Sequence, residues 1–262
     1  MKKLFVLGLV LVLAGSAFAG AKKESAANSL ERIKAVGELV IGIEGTYPPY
    51  TYHDAATNKL VGYDVEVAEA IAAKLGVKPR FVESRWDSLI IGLDSALWDT
   101  VINQVGVTEA RKEKYDFSVP YTYTHGVVIV REDNDSIKSF EDLNGKSSAQ
   151  TITSNWAQLG ERYGAKTIGT DGFNESIQLV IDRRADATIN DDVTFADYLK
   201  EHPKSPTKVV AVSTDVTESA VILVKNQNEL REAINKALAE LSADGTLTSL
   251  SQKYLNLDVS KR

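Results

Sequence analysis

"ELVIGIEGTYPPY" (Glu38 to Tyr50) is a short apolar run that stops abruptly at a polar, aromatic loop. Such an unbroken run bounded by turn residues reads as a buried strand. The next stretch of chain decides its context. In "GYDVEVAEAIAAKLG", Val65, Ala68, Ile71, Ala72 and Leu75 recur at helical spacing, Asp64 is positioned to cap and Gly76 to stop. "PRFVE" (Pro79 to Glu83) is a second strand, "WDSLIIGLDS" (Trp86 to Ser95) a second helix and "DTVIN" (Asp99 to Asn103) a third strand. That is a βαβαβ unit, hence a parallel sheet with helices on its faces.

A second unit repeats the pattern. "GVVIV" and "SSAQTI" are strands, "SNWAQLGERYG" is a helix capped by Ser154, and "NESIQLVID", "ADATIN" and "VTFADYLKE" give helix, strand and helix. "TKVVAV" and "SAVILV" add strands, and "NELREAINKALAELSADG" a long helix ending at Gly245. Two α/β lobes are expected, with a crevice beyond the carboxyl ends of their strands. Five loops converge there: "EGTYPPY", "ESRW", "NQVGVTEAR", "QTITSN" and "NDD".

Composition narrows the function. The 262 residues are 44% hydrophobic and 25% charged, with a net charge of −6, so phosphate-backbone binding, which needs a surplus of cations, is not expected. There is no cysteine, and His53, His125 and His202 lack metal-ligand spacing. No metal or cofactor is expected. "LNGKS" (Leu143 to Ser147) ends like a phosphate loop, but Phe140 stands where its first glycine belongs. No G-x-S-x-G or H-E-x-x-H run is present.

The first residues, "MKK" before "LFVLGLVLVLAGSAFA", read as a secretory signal cleaved after Ala19. Leu13 to Ser16 resembles a lipoprotein box whose cysteine is a serine, so no lipidation is expected. No other run approaches the roughly 18 apolar residues of a membrane span, and a soluble, exported protein is expected. Residues 20–36 read as a loose leader.

Arg111 offers a planar fork of donors that suits a carboxylate, although within "EARKEK" it could equally be a solvated helix cation. Ser154 and Asn155 open a helix after a strand, which suits either an anion or plain capping. Asp191 could receive an ammonium group or cap the next helix, and with Glu44 it could form an acid/base pair across the crevice. Tyr47 and Trp86 could flank a ligand side chain or simply pack.

Five runs, "GELVIGIEGTYPPYTY", "LVGYDVEVAEAIAAKLG", "NQVGVTEARKEKYDFSVPY", "KSFEDLNGK" and "RADATINDD", together resemble the solute-binding proteins of polar amino-acid ABC importers. The resemblance runs from Gly37 to about Val259, and "AQTITSNWAQ" looks most like the cystine-binding branch. It implies a two-lobed periplasmic binding protein of type II, each lobe a mainly parallel sheet flanked by helices. Lobe one would be residues 37–124 with 221–262 and lobe two residues 125–220, the chain crossing near Tyr121 to Val127 and Val212 to Ile222. It implies further that Arg111, with Thr151, Ser154 and Asn155, clamps a ligand carboxylate, that Asp191 takes the α-ammonium with help from Glu44, and that Tyr47 and Trp86 flank the side chain. Backbone at Gln104 and Gly106 would complete the shell. A monomer that delivers a free amino acid to an inner-membrane permease is expected.

Three departures from such relatives stand out: Ala96-Leu97 where glycine and a basic residue are usual, no glycine near Arg183, and Ala220-Val221 where Tyr-Gly is frequent. Ala96 is expected in a left-handed conformation at a helix end. An enzyme resembling cyclohexadienyl dehydratases is the alternative function. A sensory input domain fits less well, because no membrane helix or kinase comes after Arg262.

Overall fold

The computed structural model describes residues 29–262, so the signal segment and the lipobox-like Ser16 lie outside the described residues. The chain begins with α1 (Ser29–Val36) and β1 (Glu38–Ile43). A small antiparallel sheet comes next, made of β2 (Thr46–Tyr47), β3 (Thr51–His53) and β4 (Leu60–Val61). Then come α2 (Tyr63–Leu75), β5 (Lys78–Glu83), α3 (Trp86–Asp94), β6 (Thr100–Val101), α4 (Glu109–Lys114) and β7 (Tyr115–Phe117). The long strand β8 (Thr122–Arg131) leads into β9 (Ser147–Gln150), α5 (Asn155–Arg162), β10 (Lys166–Gly169), α6 (Phe173–Ile181), β11 (Ala187–Asp191) and α7 (Asp192–Glu201). The chain returns along β12 (Thr207–Ser219) to β13 (Ile222–Val224), α8 (Asn228–Ala243) and α9 (Thr246–Leu255).

The strands form two five-stranded sheets, ordered β5-β1-β6-β13-β7 and β10-β9-β11-β8-β12. In the first, β1 pairs parallel with β5 and β6, while β13 runs antiparallel to β6 and β7. In the second, β9 pairs parallel with β10 and β11, and β8 runs antiparallel to β11 and β12. The parallel core of each lobe therefore gains one strand that runs against it, β13 in lobe one and β8 in lobe two. Leu39 and Ile41 of β1, Ala68, Ile71 and Ala72 of α2, and Ile234 and Leu238 of α8 share one buried core. Lobe two has its own, around Val128, Val130 and Ile189.

The lobes are joined by a two-stranded ribbon. β8 and β12 stay paired from Thr207↔Arg131 to Ser219↔Thr122, with two register shifts on the way. At its lobe-one end the ribbon is tied down by Tyr123 N–H to the Val259 carbonyl and by Val107 N–H to the Glu218 carbonyl. Ala220 and Val221 separate β12 from β13 and are fully buried.

Several local expectations change. Ser29–Val36 is helical rather than loose: Ile33 is fully buried in the lobe-one core and Arg32 is paired with Asp99. Its polar residues hide a narrow Leu30–Ile33 stripe. Asp64 does not cap α2. Gly62 holds that position, and the Asp64 carboxylate is buried, accepting the backbone and side-chain N–H groups of Gln104. "SAVILV" is broken after Ser219, and Gly245 ends α8 only to start α9, a helix not expected from the sequence. The strand expected over "DTVIN" shortens to Thr100–Val101.

Candidate functional site

Between the lobes lies a small cavity of about 50 Å³. Of the residues singled out from sequence, Glu44, Tyr47, Trp86, Gln104, Thr151, Ser154 and Asn155 form its wall. Trp156, Gly172, Phe173 and Asn190 join them, none of which the sequence had singled out. Gly106, Arg111 and Asp191 stand directly behind that wall rather than in it. A water needs roughly 10–15 Å³ of such space, so the cavity has room for only a few. Anything as large as an amino acid enters only when the walls part.

Arg111 sits in the first turns of α4, whose start is fixed by Thr108: its side-chain oxygen accepts the Arg111 backbone N–H at 3.2 Å. This capping contact explains the three-residue spacing. Arg111 is 6% exposed. Nη1 donates to the Gly106 carbonyl at 2.8 Å and Nη2 to the Thr153 carbonyl at 3.0 Å, so one bond stays within lobe one and the other crosses to lobe two. The guanidinium carbon lies 5.4 Å from the centroid of the Trp86 ring. Burial lowers its pKa to about 10, and among the described residues no carboxylate pairs with it. The indole N–H of Trp86 is buried and has no partner among the described residues.

Asp191, 3% exposed, is the opposite case. It caps α7, accepting from Thr194 N–H at 2.7 Å and Thr194 Oγ1 at 2.9 Å. Across the crevice the Tyr47 hydroxyl donates to it at 2.8 Å and the Tyr50 hydroxyl at 3.0 Å. Asn190 Oδ1, at 2.7 Å, competes for the single Tyr47 proton, and the Thr194 hydroxyl also lies 3.0 Å from the Tyr47 oxygen, so at least three donors serve the carboxylate at once. Burial nonetheless raises its pKa, with those bonds acting in the other direction.

Glu44, at the end of β1, is locked to Asn103 at the end of the β6 segment. Glu44 N–H donates to Asn103 Oδ1 at 2.8 Å, and the Asn103 amide donates to Glu44 Oε2 at 2.7 Å. Burial pushes its pKa up to about 7 against the pull of that amide, and the charge of Asp87 adds to the rise. Gln104 next door adopts φ +50°, a left-handed conformation unusual for a side-chain-bearing residue, and is held there by Asp64. Burial likewise pushes Asp64 up to about 7. Gly106 approaches lobe two so closely that a Cβ would lie 3.1 Å from the Asn155 carboxamide.

Ser154 caps α5, accepting Ala157 N–H at 3.0 Å. Asp87 of α3 accepts both the backbone N–H and the hydroxyl of Thr153, and Arg85 pairs with Asp171 at 3.0 Å. With Tyr47, Tyr50 and Arg111, these contacts hold the two lobes together in a closed arrangement.

The chain matches the model of the bacterial extracellular solute-binding proteins, family 3, over residues 39–257, and it belongs to that family. It is 40% identical to the L-cystine-binding protein TcyA of Bacillus subtilis, over 99% of both chains. Among solved structures it resembles the L-cystine solute receptor of Neisseria gonorrhoeae in its unliganded open conformation. That match has 40% identity and a TM-score of 0.61, covering 89% of this chain and 100% of the other. An ancestral arginine-binding protein bound to arginine is less similar in sequence, at 37%, yet superposes better, with a TM-score of 0.77 over 83% of this chain and 98% of that one. The receptor is described as open and the arginine-binding protein as bound to its ligand; in this chain the contacts above close the crevice.

Proposed function

We propose that this chain binds a free polar L-amino acid between its lobes, closes on it by a hinge, and delivers it to the permease of an ABC importer. The lobes are residues 37–124 with 221–262 and residues 125–220, with α1 added to the first. The observation that carries the reading is Arg111, a buried cation with no acidic partner among the described residues. Two of its five N–H groups are engaged, and the remaining donors suit a carboxylate. Thr151, Ser154, Asn155 and the backbone of Gln104 and Gly106 assist there.

Asp191 takes the ammonium group once the lobes part. Opening withdraws Tyr47 and Tyr50, which belong to lobe one, and uncovers the side of the Asp191 carboxylate that they face. Tyr47 and Trp86 then flank the ligand side chain, with Glu44 beside it. The relatives named for L-cystine support cystine as a ligand. The protein works as an exported periplasmic monomer, without lipid, metal or cofactor.

A second reading has one observation in its favour. Glu44 is buried with a pKa near 7, as a general acid for losing water from a cyclohexadienyl ring would require. Binding remains the preferred function, because Glu44 is held by the Asn103 amide and the similar curated proteins are named as binding proteins.

Calorimetric titration with the twenty amino acids and L-cystine tests the proposal. One or a few should bind, and the radius of gyration in small-angle scattering should fall on saturation. Silence across the whole panel, with turnover of a cyclohexadienyl acid instead, would favour the enzyme.

A further inference from the structure

Asp64, at the start of α2, lies behind the crevice wall rather than in it. It is fully buried, and no cation pairs with it among the described residues. Burial pushes its pKa up to about 7 against the pull of Gln104 and the Tyr121 hydroxyl, so its ionised form costs stability. Capping does not account for it, since Gly62 holds the capping position of α2. Both of its oxygens serve one residue instead. Oδ2 accepts the Gln104 backbone N–H and Oδ1 the Gln104 carboxamide, each at 2.8 Å. Gln104 has φ +50°, and a side-chain-bearing residue stays in that region only where its surroundings hold it.

Two residues further on is Gly106. Its carbonyl accepts Arg111 Nη1 at 2.8 Å, and a Cβ there would meet the Asn155 carboxamide. The far end of this short segment is fixed to the region of β12: Val107 N–H donates to the Glu218 carbonyl, and Ala220 N–H to the Val105 carbonyl. Asp64 fixes the near end. Resting on the amino-acid reading above, we infer that Asp64 is a positioning residue for the ligand carboxylate. By clamping Gln104 at two points it sets the backbone from Gln104 to Gly106 against Arg111 and Asn155. Releasing Gln104 moves the Gly106 carbonyl, and with it the fork that Arg111 presents. A hinge brace is the competing role, because Gln104 Nε2 also reaches Thr122 Oγ1, at the start of β8, at 3.2 Å.

Calorimetry on the whole mature protein separates the two, with L-cystine as the probe or whichever of the twenty amino acids binds. Circular dichroism checks the fold of each variant. Asp64→Leu keeps the volume but removes both acceptors, and it should weaken the probe by at least about tenfold. Asp64→Asn keeps a two-point clamp once the Gln104 carboxamide turns over, so its affinity should stay within about threefold of wild type. In a Gln104→Gly background the left-handed backbone carries no strain, and the further loss from Asp64→Leu should shrink to about twofold or less. Thr122→Val cuts only the link to β8 and should leave affinity within about twofold. Should Asp64→Leu fail to fold, Asp64→Ser, with one hydroxyl for two donors, takes its place with the same expectations.

Wild-type affinity in Asp64→Leu, or an undiminished loss in the Gln104→Gly background, would overturn the inference and leave Asp64 a structural group of lobe one. A loss as deep in Asp64→Asn as in Asp64→Leu would also overturn it, since the charge rather than the clamp would be at work. Equal losses in Thr122→Val and Asp64→Leu would decide for the hinge brace. If the wild type binds neither L-cystine nor any of the twenty amino acids, the amino-acid reading itself falls, and this inference with it.

Discussion

The two charged ends of the crevice are built differently. Arg111 is a buried cation whose hydrogen-bond partners among the described residues are backbone carbonyls, while Asp191 is a buried anion ringed by hydroxyl and N–H donors. One end is under-supplied even when the lobes touch; the other becomes available only when Tyr47 and Tyr50 leave. A ligand carboxylate therefore adds an interaction that the closed protein lacks. A ligand ammonium exchanges places with two phenols. The gain per charge should be unequal, and mutation can measure the inequality.

Arg111→Ala should produce the larger loss. Removing one member of a buried charge pair costs about 3–5 kcal/mol, so affinity should fall by roughly a hundredfold to several thousandfold. Arg111→Lys should fail nearly as badly, since a compact tetrahedral ammonium cannot offer a carboxylate the planar two-point fork while also reaching Gly106 and Thr153. At a thousandfold excess over the dissociation constant, ligand should add about 4 kcal/mol of stability to the wild type. Both variants should lose that melting shift. Wild-type affinity in Arg111→Ala would reduce Arg111 to a buried contact between the lobes with no part in holding the ligand.

Asp191→Asn should cost less. Its amide oxygen can still cap Thr194, and the tyrosine hydroxyls released by the ligand recover hydrogen bonds to water. One lost hydrogen bond to a charged group, about 1.5–3 kcal/mol, predicts a roughly 10- to 150-fold loss of affinity. A loss equal to that of Arg111→Ala would mean that the phenols do not compete with the ligand, which would remove the asymmetry.

Much of this site is legible in the sequence because its residues sit at strand ends, and strand ends are what apolar runs reveal. Glu44, Tyr47, Trp86 and Gln104 come directly after such runs. Phe173 and Gly172 escape notice because the strand preceding them, "KTIG", is exposed at both ends and half-buried between, so its composition gives no strand signal. Trp156 reads as part of a helix face, though it comes directly after the capping pair Ser154-Asn155. Asn190 is overshadowed by its charged neighbour. Asp64 misleads for a different reason: an acid just before a helical stripe looks like a cap, and only the folded position of Gln104 reveals its buried partner. The polar α1 shows the same blindness to a single buried side chain, Ile33.

The pH dependence of stability sharpens the contrast between Arg111 and the buried acids. Glu44 titrates near 7 instead of 4.5, and Asp64 near 7 instead of 3.8, both raised by burial. A raised carboxylate keeps its proton in the folded state after the unfolded chain has lost it. Each group therefore makes the ligand-free protein less stable as pH rises from about 4 to about 7, and contributes no further slope above that. The steepest slope is about 1.4 kcal/mol per pH unit for each group. Arg111, still charged below pH 10, adds no slope in this window. Glu44→Gln should remove one share of the decline in urea unfolding at pH 5 and pH 8. Parallel profiles for wild type and variant would show that Glu44 is ionised in the folded protein at pH 5.

The smallest effect compares the lobes at one equivalent point, the ends of α3 and α6. In lobe one, Ala96 N–H reaches the Leu93 carbonyl and Leu97 N–H the Gly92 carbonyl; in lobe two, Arg183 N–H reaches Val180 and Arg184 N–H reaches Leu179. Both are the paired closure that usually carries glycine at its left-handed position. Here that position holds Ala96 at φ +54° and Arg183 at φ +62°, whereas the end of α2 has Gly76 at +75°. A Cβ in that conformation costs roughly 1 kcal/mol. Ala96→Gly should raise stability by up to that amount. Arg183→Gly should gain less, because it also loses the exposed pair with Asp133. Neither residue touches the crevice, so affinity should be unchanged in both. Thermal melting that falls in Ala96→Gly would mean that the glycine's greater freedom in the unfolded chain outweighs the relief of strain, and that the left-handed alanine is tolerated at almost no cost.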